Sequence, residues 1–132
     1  MSAKKASLTG IWHGLYTYAD FPEPVYFIAM LIHSGTSITG TTHESEVGET
    51  GAPLTLFAMI DGSASGSSVT FTKTYDGSGG WAHSVAYDGE LNGERTEIEG
   101  RWTISDRASG RFLMIRSSGA SESVVRRAFA KV

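Results

Sequence analysis

The chain has 132 residues, 40% of them hydrophobic and 19% charged, with a formal net charge of −3. That is enough apolar side chain for one buried core and too little charge for a disordered chain, and the lack of a basic stripe argues against a nucleic-acid binder. With no cysteine, neither a disulfide nor a thiolate metal site can form.

The amino terminus, Met1 to Ser7, carries Lys4 and Lys5 but no apolar stretch behind them, and a secretory leader needs roughly 7–15 apolar residues there. The longest apolar run, Val25 to Ile32, is well short of the ~20 residues that cross a bilayer as a helix. The expectation is a cytoplasmic protein with no membrane partner. Residues 1–7 read as a tail, 8–117 as one β-barrel domain and 118–132 as a second tail.

Sixteen glycines punctuate short segments rich in Val, Ile, Thr, Tyr, Phe and Trp, the pattern of an all-β sandwich or barrel. In chain order the segments are Leu8 to Tyr18; Val25 to His33, after a stiff loop Phe21-Pro22-Glu23-Pro24; Ser37 to Glu44, entered through Ser34-Gly35; and Leu54 to Ile60, closed by a turn beginning at Asp61-Gly62. Ser68 to Tyr75 follows, ended by Asp76-Gly77-Ser78-Gly79-Gly80, then Trp81 to Leu91. Asn92-Gly93 is the strongest hairpin signal, because both residues tolerate positive φ. Glu94 to Ile104 and Arg111 to Ser117 complete the set. No connection is long enough for a crossover helix, so neighbours pair antiparallel. The fold expected is an eight-stranded antiparallel up-and-down barrel. In the tail, Ser121 can cap a short helix with Val124, Val125, Ala128 and Phe129 on one face.

Alternation assigns the faces. Trp12, Gly14, Tyr16 and Tyr18 point inward, as do Val69, Phe71, Lys73 and Tyr75; Ile98, Gly100, Trp102 and Ile104; and Phe112, Met114 and Arg116. The second and fourth segments are apolar on both faces: Val25, Phe27, Ala29 and Leu31 alternate with Tyr26, Ile28, Met30 and Ile32, and Leu56 and Ala58 with Phe57 and Met59. An outward apolar stripe needs a partner surface. A homo-oligomer through these two segments, with Leu113 and Ile115 as further candidates, is favoured over coverage by the tail helix.

The opening Gly10-Ile11-Trp12 and the closing Arg116 resemble the calycin superfamily of lipocalins, fatty-acid-binding proteins and avidins. There a tryptophan closes the barrel base and a basic side chain from the last strand packs across it, an indole face attracting a guanidinium. The layout is most similar to the avidins. Leu8-Thr9-Gly10-Ile11-Trp12 resembles their first strand, and Ile38-Thr39-Gly40-Thr41-Thr42-His43-Glu44 their third. Ala82-His83-Ser84 resembles a strand bearing pocket hydroxyls, and Gly100-Arg101-Trp102 sits where they place a pocket tryptophan. Ser84 and Trp102 carry over. Gly14, Tyr18 and Thr42 stand where the family holds biotin with an Asn, a Ser and a Tyr, while Ala86 and Asp88 replace a hydroxyl and a tryptophan. The resemblance implies the barrel rather than that ligand. It also turns Ser84, Ala86 and Asp88 inward, whereas hydrophobicity turns His83, Val85 and Tyr87 inward; a one-residue slip separates the two, and hydrophobicity carries slightly more weight.

The leading functional expectation is a small-molecule-binding barrel. Phe27, Leu56, Phe71, Trp102, Phe112 and Met114 would form its walls, and Tyr16, Lys73, Tyr75, His83, Ser84 and Tyr87 its polar or orienting groups. Trp12 and Arg116 would close the base. Lys73 either meets an anionic group or lies near the mouth and reaches water. Glu44-Ser45-Glu46 read as solvated carboxylates on a loop. His13, His33, His43 and His83 lack metal-ligand spacing, so no metal and no cofactor is expected. No catalytic residue is assigned. An enzyme using His83, Tyr75, Tyr87 and Lys73 in acid–base chemistry is one alternative; an oligomeric interaction protein with a filled core is the other.

Overall fold

The computed structural model describes residues 7–47, 50–105 and 107–117. They form eight strands: β1 (Gly10–Tyr18), β2 (Phe21–Ser34), β3 (Ser37–Val47), β4 (Pro53–Ser65), β5 (Ser68–Tyr75), β6 (Ser84–Leu91), β7 (Glu97–Ile104) and β8 (Ala108–Arg116). Each pairs antiparallel with the next, and β8 returns to β1, so the barrel is closed and leaves no free sheet edge. This is the eight-stranded up-and-down barrel expected from the alternation. Among the described residues no helix is long and apolar enough to cross a membrane. The suggested tail helix from Ser121 lies outside the described residues.

The interior is built by period-two alternation. β5 and β6 each read exposed, buried, exposed, buried from end to end. Val85 and Tyr87 are buried while Ser84, Ala86 and Asp88 are exposed, so the hydrophobic register of the sixth strand holds. Ser84 is thereby corrected: it faces outward and lies 2.9 Å from the Thr74 hydroxyl on the neighbouring strand.

Three local expectations give way to longer-range pairing. Phe21 to Pro24 belong to β2 rather than to a loop. Phe21 and Val25 pair with β1 across a register shift, but pairing with β3 begins only at Phe27, so the prolines lie where one side of the strand is unpaired and a missing N–H costs little. Asp61-Gly62 starts no turn; β4 runs through to Ser65. Gly62 instead permits close approach, because a Cβ there would stand 2.0 Å from the Thr70 carbonyl oxygen. Asn92-Gly93 is not a two-residue hairpin. Residues 92–96 form a longer turn in which the Asn92 side-chain oxygen accepts from the Thr96 and Glu97 amides at 2.8 and 2.9 Å, and Arg95 takes the left-handed conformation at φ 60°.

The barrel has a base and a mouth. At the base, Trp12 donates its indole N–H to the Leu8 carbonyl at 2.9 Å. The Arg116 guanidinium lies 5.3 Å from the Trp12 ring and donates to the Ser7 and Thr9 carbonyls. One cation thus covers the indole and satisfies two carbonyls. The mouth lies at the opposite end, where β1 ends at Tyr18, β7 ends at Ile104 and the segment from Asp76 to His83 joins β5 to β6.

Candidate functional site

Midway along the interior four polar side chains meet. Glu44 points inward from β3, where it shares a face with Ile38 and Thr42. Tyr16 on β1 donates its hydroxyl to Glu44 Oε2 at 2.7 Å, and Tyr75 on β5 donates to Oε1 at 2.8 Å. Lys73, also on β5, places Nζ 3.3 Å from Oε1. The Lys73 and Glu44 side chains are both 0% exposed. The reading of Glu44 as a solvated loop carboxylate is therefore corrected: the ladder between β3 and β4 continues to Val47, so alternation carries Glu44 into the core. Lys73 is likewise no snorkelling residue.

The geometry describes a charged pair. Three donors converge on the Glu44 carboxylate, as an ionised carboxyl requires. Lys73 Nζ lies 4.8 to 5.3 Å from the ring centroids of Tyr16, Phe27, Tyr75 and Tyr87, an arrangement that attracts a cation. Burial pulls the Lys73 pKa below that of a free lysine, and the Glu44 charge opposes the shift. Burial, reinforced by the Glu44 charge, pushes the Tyr16 and Tyr75 hydroxyls far above ordinary tyrosine values. Tyr87 moves the same way, chiefly through burial. None of these phenols ionises near neutral pH; each is a fixed donor or acceptor.

Above this cluster the barrel opens toward solvent. Tyr16, Tyr18, Tyr75, Trp81, His83, Val85, Tyr87, Trp102 and Ile104 line the opening, whose volume is about 10 Å³, room for about one water. Tyr18, Trp81 and His83 are half-buried at its rim. The rings meet edge to face: Tyr18 and Trp102 at 5.0 Å, and Tyr75 and Trp81 at 5.0 Å. His83 lies 4.9 Å from Tyr75 and 5.4 Å from Trp81. Trp102 is anchored by its N–H, donated to the Thr17 carbonyl at 2.9 Å.

The expected site residues thus divide by depth. Tyr16, Tyr75, His83, Tyr87 and Trp102 line the opening. Lys73 and Phe27 lie directly beneath it, and Leu56 is buried beside Glu44 in the β3–β4 register. Phe71 stacks on Tyr87 at 4.7 Å, Phe112 meets both rings, and Met114 is wholly buried. Phe71, Phe112 and Met114 belong to the packed core cluster and do not line this opening. Glu44 and Trp81 were missing from the expected set. Both lie in phase with inward residues of the expected segments: Glu44 follows Ile38 and Thr42 on one face of the third, and Trp81 precedes His83, Val85 and Tyr87 on one face of the sixth, so alternation applied to every segment finds them. The avidin-like alignment departs further in space, since a Cβ at Gly14 would meet the Phe27 ring at 2.2 Å. That position is filled by a neighbour's ring. Thr42 Oγ1 is buried without a hydrogen-bond partner among the described residues.

Neither a protein-family model nor a curated protein matches the chain. Among solved structures, it is similar to a designed protein described as a fluorescence-activating β-barrel. The likeness has a TM-score of 0.55 at 14% identity, over 83% of this chain and 93% of that one. At that identity it supports the eight-stranded barrel architecture and nothing finer.

Proposed function

We propose that the protein binds a small, flat, mostly apolar molecule at the mouth of its barrel. The observation that carries this reading is the ring of half-buried aromatic side chains, Tyr18, Trp81 and His83, above a buried polar floor. Apolar walls with a few orienting polar groups are the usual form of a small-molecule site. The Tyr16 and Tyr75 hydroxyls donate their hydrogen bonds to Glu44, so their oxygens remain as acceptors, suited to a ligand with one N–H or O–H donor. Entry requires Trp81 to swing outward, because the opening holds only about 10 Å³. Gly77, Gly79 and Gly80, all at positive φ, give its segment that freedom. The Trp12–Arg116 closure and the strand order support placing the barrel with the calycins.

The description of the similar designed barrel as fluorescence-activating makes an environment-sensitive aromatic fluorophore a fitting first probe. The expected result is saturable enhancement with the wild-type protein, weakened about tenfold or more by Trp81→Ala. No binding at roughly millimolar probe, or an affinity indifferent to Trp81→Ala, rejects the site. Native mass spectrometry of the protein taken from its host identifies the class of any retained ligand. A second reading, a filled barrel that works through its outer wall, is favoured by the same small volume, and it is the one left standing if no probe binds.

A further inference from the structure

We infer that the outer wall over β1 to β4 is the contact face of a symmetric dimer, its partner a second copy of this chain. Ile11, Tyr26, Ile28, Met30, Ile32, Phe57 and Met59 all point away from the core and are 36 to 59% exposed. The pairing registers set them side by side. One row runs Ile11, Met30, Thr41, Met59, and the next runs His13, Ile28, His43, Phe57. No Asp, Glu, Lys or Arg stands in either row. The outer wall of β5 to β8 is different in kind: Thr70, Thr72, Thr74, Asp88, Glu90, Glu99, Arg101 and Arg111 are exposed there. Apolar residues scattered singly on a surface need no explanation, whereas contiguous apolar rows confined to one half of the wall do.

Area, charge and shape choose the occupant. At roughly 150–250 Å² for a whole large side chain, the seven residues present on the order of 600–700 Å². With His13, His43, Thr39 and Thr41 between them, the face approaches the ~800 Å² that each partner of a stable complex buries. Asp61, opposite Thr39 on β4, is exposed at the margin of the face; the two rows themselves carry no charge and meet their own copy without like-charge repulsion, which is the requirement of an isologous contact. The outward side chains of β3, Thr39, Thr41 and His43, form a low trough. It lies between a β2 ridge of Ile28 and Met30 and a β4 ridge of Phe57 and Met59. His43 leans toward Phe57, with ring centroids 6.2 Å apart. A two-fold axis between β2 and β3 lays each β2 ridge into the other copy's trough and brings Met59 over Ile11. Of the two further candidates on β8, Ile115 is already buried within the chain at 2% exposure and Leu113 is half-buried; neither stands in these rows.

Sedimentation equilibrium on the full chain tests this. At roughly 100 μM, well above a micromolar dissociation constant, the expected mass is twice that of one chain. Met30→Glu and Met59→Glu each introduce two charges per dimer and are expected to weaken association about 100-fold or more. Thr72→Glu, on the polar half of the wall, is expected to leave it unchanged. Near-ultraviolet circular dichroism verifies that each variant keeps the barrel. A monomeric wild-type chain at that concentration overturns the proposal, whatever then covers the face. Dimerisation unaffected by both methionine variants, or abolished by Thr72→Glu in a folded protein, overturns it equally.

Discussion

Lys73 Nζ and Glu44 Oε1 lie 3.3 Å apart in the middle of the barrel, on strands separated by β4, with neither side chain reaching solvent. Such a pair gives little net stability compared with a well-packed apolar core, yet breaking it from one side leaves an uncompensated buried charge. Lys73→Met is expected to cost about 3–5 kcal/mol. Adding Glu44→Gln, which is neutral and can still meet the Tyr16 and Tyr75 hydroxyls, should restore part of that loss. Urea unfolding of both single variants and the double variant measures the coupling. Strictly additive losses would mean that the two charges do not depend on each other.

The three buried phenols predict an alkaline signature. Tyr16, Tyr75 and Tyr87 have folded-state pKa values raised above the free value. The native state therefore keeps protons that the unfolded chain loses near pH 10. Their contribution to stability is intact below about pH 10 and is lost as the pH rises further. Lys73, lowered by burial, works in the opposite sense, favouring the fold as the pH rises toward the free lysine value. With three phenols against one amine, stability should fall steeply above about pH 10. Absorbance at the phenolate band, followed against circular dichroism, should show these tyrosines ionising only together with unfolding. Ionisation of all five tyrosines in a protein that retains its native spectrum would contradict the burial of the cluster.

Two neighbouring glycines should respond to alanine for different reasons. A Cβ at Gly62 meets backbone, the Thr70 carbonyl oxygen, at 2.0 Å, so Gly62→Ala must part β4 from β5. Gly66 has open space around it but φ +60°, so Gly66→Ala bears only backbone strain of about 1 kcal/mol. Thermal unfolding should place Gly62→Ala well below Gly66→Ala, with a cost of about 1–3 kcal/mol or more. Equal effects would indicate that the strands separate there without difficulty.

Asn92 acts through its side chain, not through the flexibility of Asn-Gly. Its oxygen accepts from two backbone amides while its amide group donates to the Thr96 hydroxyl at 3.0 Å. Asn92→Ala should cost about 1–2 kcal/mol, as a lost helix cap does. Asn92→Asp keeps the acceptor and should lose less. Chemical unfolding compares the two; indistinguishable variants would remove the bracket as the cause.

What the sequence determined by itself is what alternation governs. Successive side chains on a strand point to opposite faces, so the inward placement of Trp12, Tyr16, Phe71, Lys73, Tyr75, Trp102 and Met114 and the outward stripe of Ile28, Met30, Phe57 and Met59 were legible before any pairing was known. Only the tertiary structure decided which inward residues meet. Glu44 becomes the partner of Lys73 because closing the barrel through β4 brings together residues 29 positions apart, and nothing local to Glu44-Ser45-Glu46 announces that contact. Asp61-Gly62 and Asn92-Gly93 carry strong turn signals, yet one lies within β4, paired on both sides, and the other is a side-chain bracket. Turn propensity is worth at most a kilocalorie or so per residue, and the ladders of a closed barrel, with their buried faces, outweigh it.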